Sequence, residues 1–351
     1  MTAPVATPVA WPDPARRAAY ERWLAALPEA IDPASTEPAS ADASFRRYLR
    51  VRGAQGSRIV MDAPPALEDC APFVRVAHAL REAGLNGPEV LDWNRADGFL
   101  LLSDLGEQPY LAALQAAQRD GDAARADRLM RDAIAALVQW QTGVDASALP
   151  PYDDALLRRE LALFPEWCVA RERGVTWGEA ERRVWDAACD ALVHSALAQP
   201  TVAVHRDYMP RNLMIADPNP GILDFQDAVR GPISYDIASL LRDAFVSWDE
   251  AQEIDWAVRY WEAARAAALP VDADFGEFWR RLEWMGLQRH LKVLGIFCRL
   301  KHRDAKPKYA EDLPRFFRYA DRVVVRYREL APLARLLEAL SGVERRAGYT
   351  F

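Results

Sequence analysis

The stretch VAVHRDYMPRNLMIADPNPGILDFQDA, residues 202–228, carries the most specific pattern in the chain. An apolar run leads into a His-Arg-Asp triplet that ends at Asp207, and Asn212 follows five residues later. A second apolar run and a turn rich in proline and asparagine lead to Asp224. The pattern predicts two short strands, each ending in a carboxylate, with an amide side chain between the two carboxylates.

These side chains suit phosphoryl transfer, which needs a carboxylate to orient and deprotonate the attacking hydroxyl. Asp207 fits that base, and Arg211 beside it fits a second catalytic group that neutralises phosphate charge. Asn212 and Asp224 offer the hard oxygen ligands that Mg²⁺ prefers. The order H-x-D-x-x-x-x-N, followed by a strand that ends in Asp-Phe, resembles the catalytic loop and metal-binding motif of protein-kinase-like enzymes.

Composition restricts the class of protein. The chain has 351 residues, enough for two lobes, and a net charge of −7 gives no footprint for nucleic acid. No apolar run reaches membrane-spanning length, and the N-terminus lacks the pattern of a secretory signal. The four cysteines form no C-x-x-C pair, which favours buried free thiols in a reducing compartment. We expect a cytoplasmic monomer with no nucleic-acid or membrane partner.

Lysine usage excludes one large class of kinases. The first lysine of the chain is Lys292, and no G-x-x-x-x-G-K-[ST] motif occurs. A P-loop fold, whose lysine holds the nucleotide phosphates, is therefore excluded as far as a sequence can exclude it.

The first third of the chain predicts a small, mostly antiparallel sheet with one inserted helix. Asp13 and Pro14 signal a helix start, and residues 33–43 are rich in turn formers. The expected elements are a helix from Pro14 to about Leu27, strands at 45–52 and 58–61 joined by a turn at 53–56, a helix at 68–83, and strands at 89–93 and 98–103.

Beyond residue 106 the apolar spacing is helical. The expected helices are 122–140, 153–173, 178–197, 234–245, 248–268, 274–303, 313–329 and 332–340. The sequence thus predicts an α+β, two-lobed protein-kinase-like fold. Residues 1–105 would form the nucleotide-binding lobe, and residues 106–351 a helical lobe with the catalytic loop and the acceptor site.

In this architecture a turn between the first two strands, here residues 41–47, covers the nucleotide phosphates. The third strand of this architecture normally carries a lysine that holds the α/β-phosphates and pairs with a helix glutamate. No lysine is available here, so either an arginine replaces it or the role is lost; we favour Arg46 and Arg47, next to the turn, over Arg58. Glu68 or Asp69 would be the helix acid. The hinge between the lobes, expected at residues 103–106, would read adenine through its backbone. The expected nucleotide-binding residues are Ser44, Phe45, Arg46, Arg47, Asp104 and Leu105. His205 and Asp236 are expected to support the catalytic loop, Asp236 by capping a helix or binding the loop backbone.

Taken together, these motifs resemble the aminoglycoside phosphotransferase and choline kinase superfamily, and within it the N-acetylmuramate/N-acetylglucosamine anomeric kinases of peptidoglycan recycling. The resemblance covers nearly the whole chain and rests on ADASFRRYLR (41–50), IVMDAPP (59–65), EDCAPFVRVAHAL (68–80), FLLLSDLG (99–106), RRELALFPEW (158–167), VHRDYMPRNLM (204–214), ILDFQDAVRGPISYDIASLLRD (222–243) and QRHLKVLGIFCRLKHRDAKPKYAEDLPR (288–315). It implies ATP-dependent phosphorylation of the sugar C1 hydroxyl to the α-1-phosphate, a precursor of UDP-sugars. The residues alone imply ATP, Mg²⁺ and a small hydroxyl acceptor.

The alternative functions differ in the molecule that accepts the phosphoryl group. A site for polycationic aminoglycosides needs carboxylates, whereas the lactyl carboxylate of N-acetylmuramate attracts arginine, and the helical region offers both. The expected substrate-binding residues are Arg242, Asp243, Glu160, Trp167 and Arg299. An aminoglycoside or other small-alcohol phosphotransferase is the alternative function. A non-catalytic kinase-like binding protein is a further one, motivated by the unusual phosphate turn and the missing lysine.

Overall fold

The computed structural model describes residues 9–11, 13–41 and 45–341. Ser44, expected to bind phosphate, lies outside these residues. Over the described residues the chain forms two compact units, Met1–Tyr110 with Asn212–Asp227, and Leu111–Arg211 with Ala228–Phe351. The contacts thus group Asn212–Asp227, which we expected in the helical lobe, with the first unit. The lobe boundary at residue 105 stays a prediction.

The first unit contains an antiparallel sheet whose strand order is β1-β2-β3-β5-β4. The strands are β1 Ile31–Ala41, β2 Arg47–Gly53, β3 Gly56–Asp62, β4 Val90–Asn94 and β5 Phe99–Ser103. In the β2–β3 hairpin Gly53 pairs with Gly56, whose φ of 115° suits glycine at the end of the turn. The predicted strands and hairpin are confirmed.

The prediction of turns at residues 33–43 is wrong, because most of that segment belongs to β1. Its two prolines, Pro33 and Pro38, cannot donate to a ladder, but among the described strands β1 is an edge strand that pairs with β2 alone. The register shifts between Asp32 and Glu37, where a bulge absorbs the first proline. Proline and polar side chains therefore made the sequence look like turns, although an edge strand needs ladder hydrogen bonds on one side only.

Two helices flank the sheet. Helix α1, Pro14–Ala26, begins as predicted, with the Asp13 carboxylate accepting a hydrogen bond from the Ala15 amide at 2.8 Å. It buries Trp23 against the sheet, where its ring stacks on Phe99 with centroids 5.4 Å apart. Helix α2, Ala71–Glu82, begins later than the predicted residue 68, and the Asp69 carboxylate accepts a hydrogen bond from the amide of its first residue, Ala71, at 2.9 Å.

The rest of the chain is mostly helical, as predicted. The helices are α3 Tyr110–Asp120, α4 Ala123–Gly143, α5 Asp154–Leu161, α6 Glu179–Leu197, α7 Tyr235–Leu241, α8 Glu250–Ala266, α9 Phe275–His302, α10 Leu313–Arg326 and α11 Ala331–Ser341. The remaining strands are β6 Thr201–Val204, β7 Leu213–Met214, β8 Gly221–Ile222 and β9 Val229–Pro232. Strands β6 and β9 pair, and β7 pairs with β8.

Two helical predictions need correction. Residues 153–173 do not form one α-helix, because α5 ends at Leu161 and the chain continues as a π-helical turn, Phe164–Glu172. Pro165 lacks the amide that an α-helix would need there. Helix α3 was not among the predicted helices.

The four cysteines have the state that the sequence predicts. Cys70, Cys168, Cys189 and Cys298 are all buried and free, as predicted. No helix within the described ranges is long and apolar enough to cross a membrane.

Candidate active site

Asp207 follows strand β6 in the second unit, and a buried carboxylate fixes the backbone just before it. Asp236, at the start of α7, accepts hydrogen bonds from the His205 amide at 2.7 Å and from the Arg206 amide at 3.0 Å. Arg206 has a φ of 75°, a conformation that a non-glycine residue adopts only when its surroundings impose it. Asp236 therefore holds the chain in the turn that leads to Asp207.

The electrostatic state of Asp236 reflects its position. Its side chain is completely buried, and this burial raises its pKa to about 7. The two backbone amides oppose the increase, as does the positive charge of Arg289, while the negative charge of Asp207 adds to it. A carboxylate that accepts two amide hydrogen bonds thus titrates near neutral pH.

The His205 ring anchors the same segment from its other side. Its Nδ1 accepts a hydrogen bond from the Asp207 amide at 3.3 Å. The ring meets Trp140 and Tyr208 edge-to-face, with centroids 6.2 and 5.6 Å away, and the Tyr208 hydroxyl donates to the Ala133 carbonyl at 2.7 Å. The segment that carries Asp207 is therefore fixed to helix α4.

A buried ionic group lies next to Asp207, and we call it the Glu160 cluster: Glu160, Arg206, Lys292, Tyr152 and Tyr235. The Glu160 carboxylate accepts hydrogen bonds from the Arg206 guanidinium and the Tyr152 hydroxyl, and the Lys292 ammonium lies 2.9 Å from it. Lys292 also donates to the Tyr235 hydroxyl at 3.2 Å. The cluster ties α5 and α9 to the residue that directly precedes Asp207.

The charges in this cluster stabilise one another. Burial alone would raise the pKa of Glu160, but Lys292 and Arg206 outweigh it, so this pKa lies below its ordinary value. Burial would likewise lower the pKa of Lys292, yet Tyr235 and Glu160 raise it above the ordinary value. Glu160 was expected to bind substrate. The structure instead commits its carboxylate to protein partners, and its side chain is only 6% exposed.

Two further residues that were expected to bind substrate, Arg242 and Asp243, are also buried and have protein partners. Arg242 is fully buried, and its guanidinium pairs with Glu253 at 3.0 Å and with Glu283 at 2.9 Å. Asp243 is also fully buried and accepts a hydrogen bond from the Phe245 amide at 3.1 Å. The Arg242 guanidinium is thus committed to two glutamates, which supports a role in the core, and the substrate-binding roles of Arg242 and Asp243 stay predictions.

The other substrate predictions lie elsewhere in the second unit. Trp167 is half-buried on the π-helical turn, with the Arg171 guanidinium 5.5 Å from its ring. Arg299 is half-buried near the end of α9, and burial lowers its pKa. Arg211 is exposed and lies over the Phe245 ring at 5.3 Å. Their assigned roles stay predictions.

In the first unit the structure brings together the two expected metal ligands. The Asn212 side-chain amide lies 3.2 Å from the Asp224 carboxylate, whose other oxygen accepts a hydrogen bond from Gln226 at 2.8 Å. The Leu223 amide donates to the Asn212 carbonyl at 2.9 Å, which fixes the two positions across the β7–β8 hairpin. Turning the Asn212 amide would place its oxygen beside the carboxylate. Two adjacent oxygen donors of this kind fit Mg²⁺.

An ion pair occupies the place where we sought a substitute for the strand lysine. Asp62, at the end of β3, is buried and pairs with Arg16 at 2.6 Å and with Arg47. Arg47 was expected to bind phosphate, and the structure instead commits its guanidinium to Asp62. Arg46 is half-buried, and its phosphate-binding role stays a prediction.

The other residues predicted near the phosphate turn also have protein partners. Arg58, the other alternative to the lysine, pairs with Glu29 at 2.9 Å. Phe45 is 65% exposed, and its amide donates to the Glu68 carboxylate at 3.2 Å. The side chain of Glu68, expected as the helix acid, thus contacts a backbone amide of the predicted phosphate-binding turn, residues 41–47.

At the expected hinge, Asp104 is held by several donors. Arg50 donates to its carboxylate at 2.7 and 3.2 Å, and the Ser57 hydroxyl and the Gly106 amide donate as well, at 2.5 and 2.9 Å. Burial would raise the pKa of Asp104, but these hydrogen bonds outweigh it and lower that pKa. The side chain therefore orders the hinge, and adenine recognition by the backbone of Asp104 and Leu105 stays a prediction.

Sequence reasoning missed several of these partners. Lys292 and Arg16 bond to residues that lie far away in the chain, and no local pattern marks such pairs. Tyr152 lies only eight residues before its partner Glu160. One signal was present, because Lys292 is the first lysine in a chain that otherwise relies on arginine.

Comparison with known proteins identifies the family. The profile described as the phosphotransferase enzyme family matches residues 35–279. The N-acetylmuramate/N-acetylglucosamine kinase of Pseudomonas aeruginosa is 52% identical over 311 residues, which cover 88% of this chain and 90% of that protein. The kinase of the same name from Pseudomonas putida is 51% identical over 311 residues, covering 89% and 90%.

The fold agrees with this assignment. A crystal structure of a choline/ethanolamine kinase family protein from Mesorhizobium loti matches with a TM-score of 0.56 at 15% sequence identity, covering 93% of this chain and all of that one. The two-lobed kinase-like α+β fold and the resemblance stated above are thereby confirmed. The family profile spans more than half of the chain and includes the segment of Asp207, Asn212 and Asp224. The chain therefore belongs to the phosphotransferase enzyme family.

Proposed function

We propose that the protein transfers the γ-phosphoryl group of ATP to the anomeric C1 hydroxyl of N-acetylmuramate, N-acetylglucosamine or both. One observation carries the acceptor: relatives that bear this kinase name are about half identical over about nine tenths of both chains. The product would be the sugar α-1-phosphate, ready for conversion to a UDP-sugar.

Asp207 is the general base in this proposal. Its carboxylate orients the sugar C1 hydroxyl and takes its proton as the oxygen attacks the γ-phosphorus. The new oxygen–phosphorus bond forms as the bond to the β-phosphate oxygen breaks, ADP leaves, and the proton passes from Asp207 to solvent. The hydrogen bonds from His205 and Arg206 to Asp236 support this role, because they fix the backbone that presents Asp207.

Asn212 and Asp224 would hold Mg²⁺ through their side-chain oxygens. The metal, when bound, neutralises charge on the nucleotide phosphates. Gln226 donates to one Asp224 oxygen at 2.8 Å and so directs the carboxylate's other oxygen toward Asn212. Such support of a ligand by a neighbouring donor is usual at metal sites.

The remaining assignments follow from the same proposal. Ser44, Phe45 and Arg46 would contact the nucleotide phosphates, and the backbone of Asp104 and Leu105 would read adenine. Arg211 would offset negative charge that develops during transfer. The protein would act as a monomer in the cytoplasm, where ATP is available.

Release of ADP from a panel of acceptors tests this function. N-acetylmuramate and N-acetylglucosamine should be turned over, whereas kanamycin and choline should not. The matched control is the 1-O-methyl glycoside of N-acetylglucosamine, which keeps every hydroxyl except the anomeric one and should be inert. Turnover of this glycoside would contradict the position of transfer. Turnover of kanamycin or choline alone would contradict the acceptor.

A further inference from the structure

Helix α9 presents one face to the segment around Asp207. Gln288 donates to Glu160 at 3.5 Å, and Lys292 pairs with Glu160 at 2.9 Å. Arg289 lies on this face, one helical turn before Lys292. Its guanidinium reaches Met209, the second residue after Asp207, with the Nη2 atom 3.9 Å from the Met209 sulfur.

Arg289 differs from Arg206, next to Asp207, and from Arg242 because it forms no ion pair among the described residues. It is only 3% exposed, yet across the described ranges of the chain no carboxylate lies within ion-pair distance of its guanidinium. Its Nη1 atom is buried and has no hydrogen-bond partner there. The half-buried Arg206 and the fully buried Arg242 each pair with at least one glutamate.

The nearest carboxyls interact with Arg289 without forming an ion pair with it. The positive charge of Arg289 lowers the pKa of Asp236 and Asp243, but burial is the larger effect and raises both pKa values above the ordinary value. The adjacent His290 is buried and its pKa lies well below the ordinary value, so it stays neutral. An unpaired buried cation is costly, and buried polar groups without partners require an explanation. A bound anion would supply the missing partner.

We propose that Arg289 is a specificity-determining residue that binds the carboxylate of a sugar-acid acceptor. Asp207 touches the acceptor hydroxyl in the proposed reaction, so a cation against the segment of Asp207 lies on the acceptor side. N-acetylmuramate carries a carboxylate on its lactyl ether, whereas N-acetylglucosamine has none. A guanidinium binds a carboxylate through two parallel hydrogen bonds. The inference rests on the proposed function and deepens it.

The two sugars and one derivative test this role. In the wild type, kcat/KM for N-acetylmuramate should exceed that for its uncharged lactamide by about thirty-fold or more, the loss expected when one partner of a buried charge pair is removed. In Arg289→Gln the acid and the lactamide should be used nearly equally, because the partner of the carboxylate is gone. The ratio of kcat/KM values for N-acetylmuramate and N-acetylglucosamine should fall by a similar factor.

A matched control is Arg280→Gln on the same helix, where the arginine pairs with Glu329 near the surface. This variant should leave both ratios unchanged. An equal loss for both sugars in Arg289→Gln would overturn the proposal and assign the arginine to the transferred phosphoryl group. Unchanged ratios would overturn it too.

The wild-type measurement keeps the test decisive if Arg289→Gln does not fold. Equal kcat/KM values for the acid and its lactamide would overturn the proposal without any variant. If neither sugar is phosphorylated by the wild type, the proposed function itself fails. Turnover of N-acetylglucosamine without any preference for the acid contradicts Arg289 alone.

Discussion

Two ionic groups of the second unit are both centred on arginine–glutamate pairs and differ in what they connect. The Glu160 cluster joins α5 and α9 to the residue before Asp207. The second, which we call the Arg242 cluster, joins the residue that follows α7 to α8, α9 and α10. Its members are Arg242, Glu253, Glu283, Arg322 and Arg326.

The difference concerns function. Every partner of Arg242 lies on a helix, so that cluster holds helices together. In the Glu160 cluster one partner, Arg206, belongs to the turn whose backbone Asp236 also fixes. Residue type predicts both clusters equally, and we expected Glu160 and Arg242 alike to bind substrate. Only the element that carries each partner separates a support of the catalytic segment from a support of the core.

Asp207→Asn sets the scale for this comparison. It keeps the shape of the side chain and removes the base, so kcat should fall by about 10²–10⁴-fold. The affinity for ATP should remain nearly intact, because Asp207 acts on the acceptor. Steady-state kinetics and nucleotide titration measure both. Asp227→Asn, an exposed aspartate of the same stretch, is the control and should change neither. Full turnover by Asp207→Asn would remove Asp207 from the mechanism.

Glu160→Gln should affect both stability and turnover. It leaves Arg206 and Lys292 buried without their shared carboxylate, which costs about 3–5 kcal/mol of stability. Because Arg206 precedes Asp207, kcat should fall by about 10–100-fold, the range of a misplaced catalytic group. Denaturant unfolding and kinetics on the folded enzyme check the two effects. Glu166→Gln, exposed on the π-helical turn, should change neither. Loss of stability with an unchanged kcat would make the two clusters equivalent.

Arg242→Met should change stability alone. The cost should be about 3 kcal/mol, the low end for a broken buried pair, because Glu253 keeps Arg322 and Glu283 keeps Arg326. The kcat of the folded enzyme should stay within about threefold of the wild type, since single changes far from special features have small effects. Urea unfolding and kinetics at low temperature provide the measurement. A large fall in kcat would restore Arg242 to the substrate site.

The smallest effect concerns pH. The pKa of Asp236 is raised from 3.8 to about 7, so between these values the folded protein holds a proton that the unfolded chain releases. Its contribution to the free energy of unfolding therefore decreases as pH rises from about 4 to about 7, and it levels off at higher pH. The Tm of the wild type should fall by a few degrees relative to Asp236→Asn between pH 5 and pH 8. Parallel Tm curves for the two proteins would contradict the raised pKa.

Much of the fold could be predicted because it depends on local patterns. Apolar spacing and caps such as Asp13 located most helices, and the turn at Gly53–Gly56 located a hairpin. Strand β1 was missed because its place at the sheet edge, which tolerates Pro33 and Pro38, is a property of the whole sheet. The end of α5 before Pro165 was missed because apolar spacing alone does not distinguish an α-helix from the π-helical turn that follows it.

The site could be predicted only in part. The spacing of Asp207, Asn212 and Asp224 is local and points to chemistry. The charged partners of Glu160 are not local, because Arg206 lies 46 and Lys292 132 residues further along the chain, and such partners decide whether a buried charge supports the fold. The composition hinted at Lys292 but not at its partner.

The most direct test of the central claim is phosphorus NMR of the product. The enzyme would be given ATP, Mg²⁺ and an equimolar mixture of N-acetylmuramate and N-acetylglucosamine. Our account predicts a sugar phosphate whose phosphorus couples to an anomeric proton. A phosphate on any other carbon, or no sugar phosphate at all, would contradict it.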